Sequence, residues 1–332
     1  MSAGKENVIR RSNRLPAVVT LLVPLVLGFA TGCAGAAKTT GSSSPGIEKQ
    51  VIEVDGRERS YYLQLPRDFD SRSKLPLVLV LHGGGKGDGS KAAGYLGFNA
   101  LADVNGFVLV YPNGVDGYWR DGRGYTHRGE SDGSVDDVTF IASLIDHLVQ
   151  AKKADPKRVY VTGVSNGGMM TLRLGCEISS KLAAIAPVIA NLPKNIVGTC
   201  QPDAPLPVLL MNGTDDPLVP YGGGYVHFFR KQMGEVVSTD ETIAFWVRHN
   251  RCNAIPVVTD LPDRDKDDHS KVVVTTYIDA NGKPSVVLYA VIGGGHTLPG
   301  SNIPNRPRIL GQKNNDIDGA EVIWEFLRNY SR

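Results

Sequence analysis

One serine lies in the setting that a nucleophilic serine requires. Ser165 is flanked by Gly163 and Gly167 in the pattern Gly-x-Ser-x-Gly, and it stands between an apolar run at 159–164 and a helical pattern at 167–176. A strand that turns sharply into a helix projects its serine outwards, and glycines on both sides leave room for the crowded backbone. The positive end of the helix dipole favours negative charge that develops nearby. This context predicts that Ser165 is a nucleophile.

A serine hydroxyl needs a general base, and His296 is the best placed of the seven histidines. It lies in a loop rich in glycine and proline at 293–300, directly after the last predicted strand. Such a loop is suited to presenting one side chain at the carboxyl edge of a sheet. His82 follows a predicted strand at 77–81 and opens a run of glycines, and we interpret it as structural. The other five histidines lie in polar loops or on helices without a special setting.

Two adjacent aspartates could supply the acid that orients the histidine. Asp215 and Asp216 follow a predicted strand at 208–211, and an acid there would hold the imidazole in the required tautomer. The residues alone weigh the two almost equally. The run at 216–220 favours Asp216, because it fits a loop pattern familiar in serine hydrolases. The resulting chain order of serine, aspartate and histidine is one that such enzymes use.

Backbone N–H groups for a developing oxyanion are expected beside the serine. Three glycines follow His82, and they let the backbone turn its N–H groups toward a ligand without obstruction by Cβ atoms. We predict Gly84 as one donor, with Gly83 and Gly85 as close alternatives. The other predicted donor is Asn166, the residue after the serine. Phosphate binding is less favoured, because no Gly-Lys-Ser or Gly-Lys-Thr follows the glycines.

The elements that must position these groups follow an α/β pattern. Apolar runs and the flanks of Asp-Gly and Asn-Gly turns predict strands at 51–54, 60–65, 77–81, 107–111, 159–164, 208–211, 271–279 and 285–292. Helices are predicted at 92–104, 135–153, 167–176 and 317–330. Alternating strands and helices after an antiparallel start indicate a mostly parallel central sheet with helices on both faces. Capping and packing explain Asp136 and Asp137, at the start of the second helix, better than catalysis does.

The N-terminal residues have the features of an export signal. Basic residues precede an apolar stretch at 15–30, which is short for a membrane-spanning helix, and small residues immediately precede Cys33. A cysteine in this place resembles the bacterial lipobox, in which the thiol is lipidated, and an ordinary cleaved signal is the alternative. The protein is therefore expected to be secreted or to be a lipoprotein of the cell envelope. The predicted parts are a signal peptide at 1–32, a flexible tether at 33–46 and one catalytic domain at 47–332.

The composition excludes several classes of protein. The chain of 332 residues has 36 Lys and Arg against 34 Asp and Glu, so it lacks the basic surplus that binding to nucleic acid usually needs. Hydrophobic residues make up 42% of the chain, as in an ordinary folded protein and unlike a disordered one. Besides Cys33, three cysteines allow at most one disulfide after export, and the sequence does not choose among Cys176, Cys200 and Cys252.

Together, the motifs of this chain resemble those of a known family. The chain looks like the secreted α/β-hydrolase esterases grouped as polyhydroxybutyrate depolymerase-like proteins, which include feruloyl and acetylxylan esterases. The resemblance rests on His82-Gly83-Gly84-Gly85, Tyr111-Pro112-Asn113-Gly114, Val135-Asp136-Asp137-Val138, Gly163-Val164-Ser165-Asn166-Gly167-Gly168-Met169-Met170, Gly213-Thr214-Asp215-Asp216-Pro217 and Gly294-Gly295-His296-Thr297. It implies an α/β-hydrolase fold, with Ser165 as nucleophile, Asp216 as orienting acid and His296 as base.

The resemblance also implies an activity. It points to a serine carboxylic-ester hydrolase that works through an acyl-enzyme and needs no metal or organic cofactor. Its substrates would be feruloyl or acetyl esters of polysaccharide, or short hydroxyalkanoate oligomers. Leu298, where the family often has an aromatic residue, and Trp119 are the side chains expected to line the pocket, which the loops at 113–133 and 222–238 would shape. A ligand-binding lipoprotein without turnover and a serine peptidase are the alternatives, and no oligomeric state follows from the sequence.

Overall fold

The computed structural model describes residues 46–69, 74–125, 135–151, 153–229 and 231–332. The predicted signal peptide, Cys33 and the predicted tether up to residue 45 lie outside the described residues. Among the residues described, no helix combines the length and the apolar character needed to cross a membrane.

A large sheet is the centre of the fold. The strands of the described residues are β1 (Glu48–Val54), β2 (Arg57–Gln64), β3 (Leu75–Leu81), β4 (Val108–Pro112), β5 (Ala154–Val164), β6 (Ala184–Val188), β7 (Val208–Gly213), β8 (Gly224–Phe228), β9 (Lys231–Val236), β10 (Val257–Asp260), β11 (Lys271–Ile278) and β12 (Pro284–Ile292). Ten of these strands form one sheet in the order β1-β2-β4-β3-β5-β6-β7-β12-β11-β10, and β8 pairs with β9 in a separate hairpin. The six central strands, from β4 to β12 in this order, run parallel. The outer strands pair antiparallel on both sides.

Helices cover both faces of the sheet. They are α1 (Gly89–Tyr95), α2 (Phe98–Asn105), α3 (Asp137–Gln150), α4 (Asn166–Glu177), α5 (Thr239–His249), α6 (Pro307–Leu310) and α7 (Gly319–Leu327). Because successive side chains of a strand point to opposite faces, Leu77 and Leu79 of β3 pack in a core with α3, α4 and α5. Val78 and Val80 pack in a second core with α1, α2 and α7. The predicted mostly parallel α/β architecture is confirmed.

Several elements differ from those predicted. The helix expected at 92–104 is two helices, because Gly97 between α1 and α2 has a left-handed φ of 82°. The sequence patterns miss β6, whose alanines and proline do not form the usual β-branched run. They also miss the hairpin of β8 and β9 within the loop expected at 222–238. The predicted helices do not include α5 either. This helix begins with a capping box between Ser238 and Glu241, and that signal is visible in the sequence.

A buried ion pair holds the segment that follows β4. Nη2 of Arg59 lies 2.6 Å from Oδ1 of Asp137, and both side chains are buried. The second carboxylate oxygen of Asp137 accepts the N–H of Arg120 at 2.7 Å. Burial lowers the pKa of the Arg59 guanidinium, and the charge of Asp137 opposes that shift. Asp136 is the N-cap of α3 and accepts two N–H groups of the first turn, so both aspartates are fully engaged in structural contacts.

One disulfide is present in the described residues, and it joins Cys176 to Cys200. Cys176 lies in the last turn of α4, so the bond ties the end of this helix to the segment between β6 and β7. Cys252 is a half-buried free thiol, and burial raises its pKa. The folded structure thus selects one of the three pairings that the sequence allows.

Candidate active site

The serine turn joins β5 to α4 in a strained backbone conformation. Ser165 has a φ of 57° and a ψ of −121°, and its N–H donates to the carbonyl oxygen of Val188 at 3.0 Å. Non-glycine residues keep such a conformation only where their surroundings determine it. Ser165 directly precedes α4, so its hydroxyl lies at the positive end of that helix.

Close packing explains the two glycines of the turn. A Cβ atom on Gly163 would lie 2.6 Å from the carbonyl oxygen of Gly167. A Cβ atom on Gly167 would lie 2.4 Å from the carbonyl oxygen of His82. Both distances are shorter than real Cβ contacts, so a side chain at either position requires the backbone to move. The serine turn is therefore pressed against the end of β3, where the glycine loop begins.

The predicted acid and base are in direct contact. Nδ1 of His296 lies 2.7 Å from Oδ2 of Asp216, and both side chains are almost completely buried. The other carboxylate oxygen of Asp216 accepts the N–H groups of Leu218 at 2.7 Å and Val219 at 2.9 Å. The contact with a carboxylate assigns the proton of the neutral ring to Nδ1, which leaves Nε2 as the basic nitrogen.

The neighbouring aspartate has different surroundings. Asp215 is exposed, and its carboxylate accepts the hydroxyl of Thr214 at 2.9 Å. The sequence leaves the two aspartates almost equivalent, but in the folded chain it is Asp216 that contacts His296.

Ser165 and His296 line the same cavity, which has a volume of 260 Å³. Among the described residues, no hydrogen bond joins these two side chains. Such bonds are often long in free enzymes and tighten when substrate binds.

The glycine loop lies against the serine turn. A Cβ atom on Gly83 would lie 3.6 Å from Cβ of Ser165, and one on Gly84 would lie 3.5 Å from Cβ of Asn166. Burial raises the pKa of the Tyr118 phenol, and a backbone hydrogen bond with Gly85 partly opposes this. Gly84 therefore stays the predicted oxyanion donor of this loop, with Gly83 and Gly85 as the alternatives.

His82 contacts the backbone on both sides through its ring nitrogens and so helps to hold the glycine loop in place. Its Nε2 accepts the N–H of Gly114 at 2.9 Å, and its Nδ1 lies 2.8 Å from the carbonyl oxygen of Gly83. The side chain is buried, and burial lowers its pKa. With both ring nitrogens bound to backbone, the environment of His82 agrees with the structural role expected from the sequence.

Two residues expected to line the pocket lie in the core instead. Trp119 is 2% exposed, its ring packs 4.9 Å from that of His82, and its Nε1 donates to the His82 carbonyl oxygen at 3.0 Å. Leu298 is 1% exposed and packs so closely on α7 that a Cβ atom on Gly319 would lie 2.4 Å from it. Neither side chain lines the cavity, so this expectation is corrected: both side chains pack in the interior.

A buried polar network connects the residue after the serine to the hairpin of β8 and β9. The Asn166 side chain exchanges two hydrogen bonds with the backbone of Trp119, and its Nδ2 donates to Oδ2 of Asp121 at 2.6 Å. Asp121 pairs with Arg123 at 2.7 Å, and both side chains are 3% exposed. Nη1 of Arg123 then donates to the carbonyl oxygen of Met233 in β9, at 2.7 Å.

The hairpin supplies much of the cavity wall. Its lining residues are Val226, His227, Phe228 and Met233. Tyr118 and Arg123 line the cavity from the segment after β4. These residues lie in the two loops, 113–133 and 222–238, that the sequence analysis expected to shape the pocket, but no motif marks the individual positions. Most of the remaining wall is apolar, so the cavity suits an uncharged ester group.

Comparison with known proteins identifies the family. A family model described as Esterase PHB depolymerase matches residues 59–190. The protein named "Putative esterase NocK" from Nocardia uniformis subsp. tsuyamanensis is 32% identical over 290 residues, which cover 83% of this chain and 81% of that protein. The chain belongs to the esterase PHB depolymerase family. It is therefore an esterase, a hydrolase of carboxylic esters.

More distant relatives of this esterase carry more specific names. Feruloyl esterase B from Piromyces equi is 27% identical over 280 residues, which cover 82% of this chain and 45% of that protein. Poly(3-hydroxyalkanoate) depolymerase C from Paucimonas lemoignei is 26% identical over 257 residues, which cover 68% of this chain and 56% of that protein. The chain spans about half the length of these two relatives.

Solved structures agree on the fold of the esterase. The acetyl xylan esterase from Aspergillus awamori superimposes with a TM-score of 0.52 at 16% identity, over 76% of this chain and 95% of that one. A thermostable esterase gives a TM-score of 0.52 at 17% identity, over 86% of this chain and 63% of that one. At such identities the likeness concerns the fold alone, and it is the predicted α/β-hydrolase fold.

Proposed function

We propose that this esterase works through an acyl-enzyme formed on Ser165. His296 Nε2 takes the hydroxyl proton as Ser165 Oγ bonds to the ester carbonyl carbon, and the backbone N–H groups of Gly84 and Asn166 stabilise the oxyanion. The bond from carbon to alkoxy oxygen then breaks, and His296 gives its proton to the departing alcohol. Water attacks the acyl-enzyme with the same base, which releases the acid and restores Ser165.

The contact between Asp216 and His296 in the cavity of Ser165 carries this proposal. The acid holds the ring by Nδ1 at 2.7 Å, so Nε2 is the nitrogen left to serve as base. A buried carboxylate next to the ring also stabilises the imidazolium that forms when the serine is activated. The strained turn and the helix end then give the serine the exposure and the electrostatic setting of a nucleophile.

Replacement of the serine tests the mechanism. In Ser165→Ala, kcat for nitrophenyl butyrate should fall by about 10³ or more, while circular dichroism and the unfolding midpoint stay as in the wild type. A fluorophosphonate should label the wild type at Ser165 and leave the variant unlabelled. Near-normal hydrolysis by Ser165→Ala, or an unlabelled wild type, would contradict the acyl-enzyme.

The substrates that we propose are feruloyl or acetyl esters of polysaccharide, or short hydroxyalkanoate oligomers. The names of the relatives support both groups. A hydrolysis panel of methyl ferulate, acetylated xylan and hydroxybutyrate oligomers, compared by kcat/KM, tests the choice. Activity confined to short nitrophenyl esters would contradict all of these assignments.

We also propose that the protein is exported and held at a membrane by a lipid on Cys33. The N-terminal sequence pattern supports both parts of this proposal. The disulfide of Cys176 and Cys200 supports export alone, since disulfides persist in oxidising compartments. In a bacterial host, labelled palmitate should be incorporated into the wild type and not into Cys33→Ser. Equal labelling of the two proteins would contradict the anchor.

A further inference from the structure

A second cavity, of 200 Å³, adjoins the catalytic cavity. The two cavities share Leu218, His227 and Phe228 as lining residues, so they are continuous along the hairpin of β8 and β9. The rest of the second cavity is lined by Pro217, Phe229, Arg308 and Ile309.

The second cavity lies on the side of the acid and the base. Pro217 and Leu218 directly follow Asp216, and Leu218 donates its N–H to that carboxylate. Ile309, which also lines the second cavity, precedes Leu310, whose carbonyl oxygen accepts the N–H of His296. In the proposed mechanism His296 protonates the departing alcohol, so the alcohol leaves on this side of the site. The second cavity is therefore placed to hold the alcohol part of the ester.

The rim of the second cavity is apolar and exposed. Phe228 and Phe229 are 44% and 74% exposed, and their ring centroids lie 4.8 Å apart. Ile309, another lining residue, is 39% exposed. Exposed apolar side chains grouped at a cavity mouth are typical of binding surfaces. They would cover an apolar body of the bound alcohol.

The polar side chains of the second cavity are suited to a ligand group that accepts hydrogen bonds. Arg308 is the one residue of permanent charge among its described lining residues, none of which is Asp, Glu, Asn or Gln. The hydroxyl groups of a sugar would find no side-chain carboxylate or amide there to accept them. A carboxylate needs donors, and a guanidinium supplies them in a geometry that matches both oxygens.

We propose that the second cavity is a subsite for a leaving alcohol that has an apolar body and a carboxylate, with the carboxylate bound by Arg308. This inference rests on the proposed function, because it takes His296 as the group that protonates the alcohol. It makes Phe229 and Arg308 determinants of specificity for the alcohol part of the ester.

Two butyryl esters that share the acyl group isolate the alcohol side. One is the ester of 3-hydroxybutanoate with a free carboxylate, and the other is its methyl ester. The ratio of their kcat/KM values should fall about fivefold in Arg308→Gln relative to wild type, which is the effect of one exposed ion pair. Arg306→Gln is the matched control, since Arg306 lies on the same segment outside the cavity, and its ratio should equal that of the wild type.

Phe229→Ala tests the apolar wall. Its kcat/KM for both hydroxybutanoate esters should fall about fivefold relative to that for ethyl butyrate, whose alcohol is too small to reach the rim. Ile255→Ala is the control, because it removes an exposed apolar side chain that lines neither cavity. Its kcat/KM values for the two hydroxybutanoate esters, each divided by that for ethyl butyrate, should equal those of the wild type.

The outcomes separate this inference from the proposed function. If the wild type hydrolyses ethyl butyrate and Arg308→Gln keeps the wild-type ratio, the subsite is wrong and the esterase mechanism stands. If a butyryl sugar ester is preferred to both hydroxybutanoate esters and Phe229→Ala removes that preference, the cavity holds carbohydrate and the proposal is overturned. If the wild type hydrolyses none of these esters, the subsite is wrong, and the mechanism fails with it only if a fluorophosphonate also leaves Ser165 unlabelled.

Discussion

At the scale of single residues, backbone geometry gives two neighbouring aspartates different environments. Asp216 is buried and points at His296, where two backbone N–H groups fix its second oxygen. Asp215 is exposed and binds the hydroxyl of Thr214. The same chemical group therefore contacts the predicted base at one position and only a neighbouring hydroxyl at the other.

This difference leads to a paired prediction. Asp216→Asn should lower kcat for nitrophenyl butyrate by about 10³-fold or more, because an amide neither holds the Nδ1–H tautomer nor stabilises the imidazolium. Asp215→Asn should keep kcat within about twofold of wild type, because its side chain has no contact with His296. Circular dichroism serves as the folding control for both variants. An equal loss of activity in the two variants would contradict the assignment of Asp216.

At the same scale, the sequence patterns predict some positions of the site and misplace others. The patterns identify Ser165, His296 and the glycine loop, because each needs a special residue type at a strand end. They misplace Trp119 and Leu298, because a large apolar side chain in a loop has the same appearance in sequence whether it lines a pocket or packs behind it. Only burial distinguishes the two, and both residues are at most 2% exposed.

At the scale of elements, a buried ion pair connects the hairpin of β8 and β9 to the serine turn. Arg123 bonds to the Met233 carbonyl oxygen in β9, and Asp121 connects Arg123 to Asn166 at the serine turn. The element that walls the cavity is thereby linked to an expected oxyanion donor. A change at the ion pair should affect substrate binding as well as stability.

Removal of the cation tests this link. Arg123→Met should lower the free energy of unfolding by about 3–5 kcal/mol, because it leaves the Asp121 carboxylate buried without a counter-ion. It should also raise KM for nitrophenyl butyrate, since β9 loses its bond to Arg123. The matched control is Arg328→Met, which breaks the exposed pair with Glu325 and should cost less than about 1 kcal/mol. Urea unfolding measures both, and equal losses would show that the Arg123 pair does not hold the hairpin.

At the scale of the whole molecule, the disulfide of Cys176 and Cys200 constrains the helix that starts at the serine. The bond closes a loop with a sequence separation of 24 residues. This loop contains β6, whose Val188 accepts the N–H of Ser165. The crosslink therefore restricts the same part of the chain that carries the strained turn.

Loss of this crosslink should destabilise the fold. The double variant Cys176→Ser, Cys200→Ser should lower the free energy of unfolding by about 3 kcal/mol, mainly because the unfolded chain gains freedom. Cys252→Ser, at the free thiol, should change it by less than about 1 kcal/mol. Denaturant unfolding without reductant compares the variants. An equal effect of Cys252→Ser would contradict the pairing.

The sequence by itself determined the parallel α/β core and the residues at its carboxyl edge. Buried strands leave apolar runs, and a strained turn between a strand and a helix demands glycines at Gly163 and Gly167, so these features are local and visible in the sequence. Only the tertiary structure decided which aspartate meets His296, which cysteines pair, and which residues of the loops at 113–133 and 222–238 line the cavity. These depend on contacts between segments that are distant in the chain, and no local pattern records which surfaces come together.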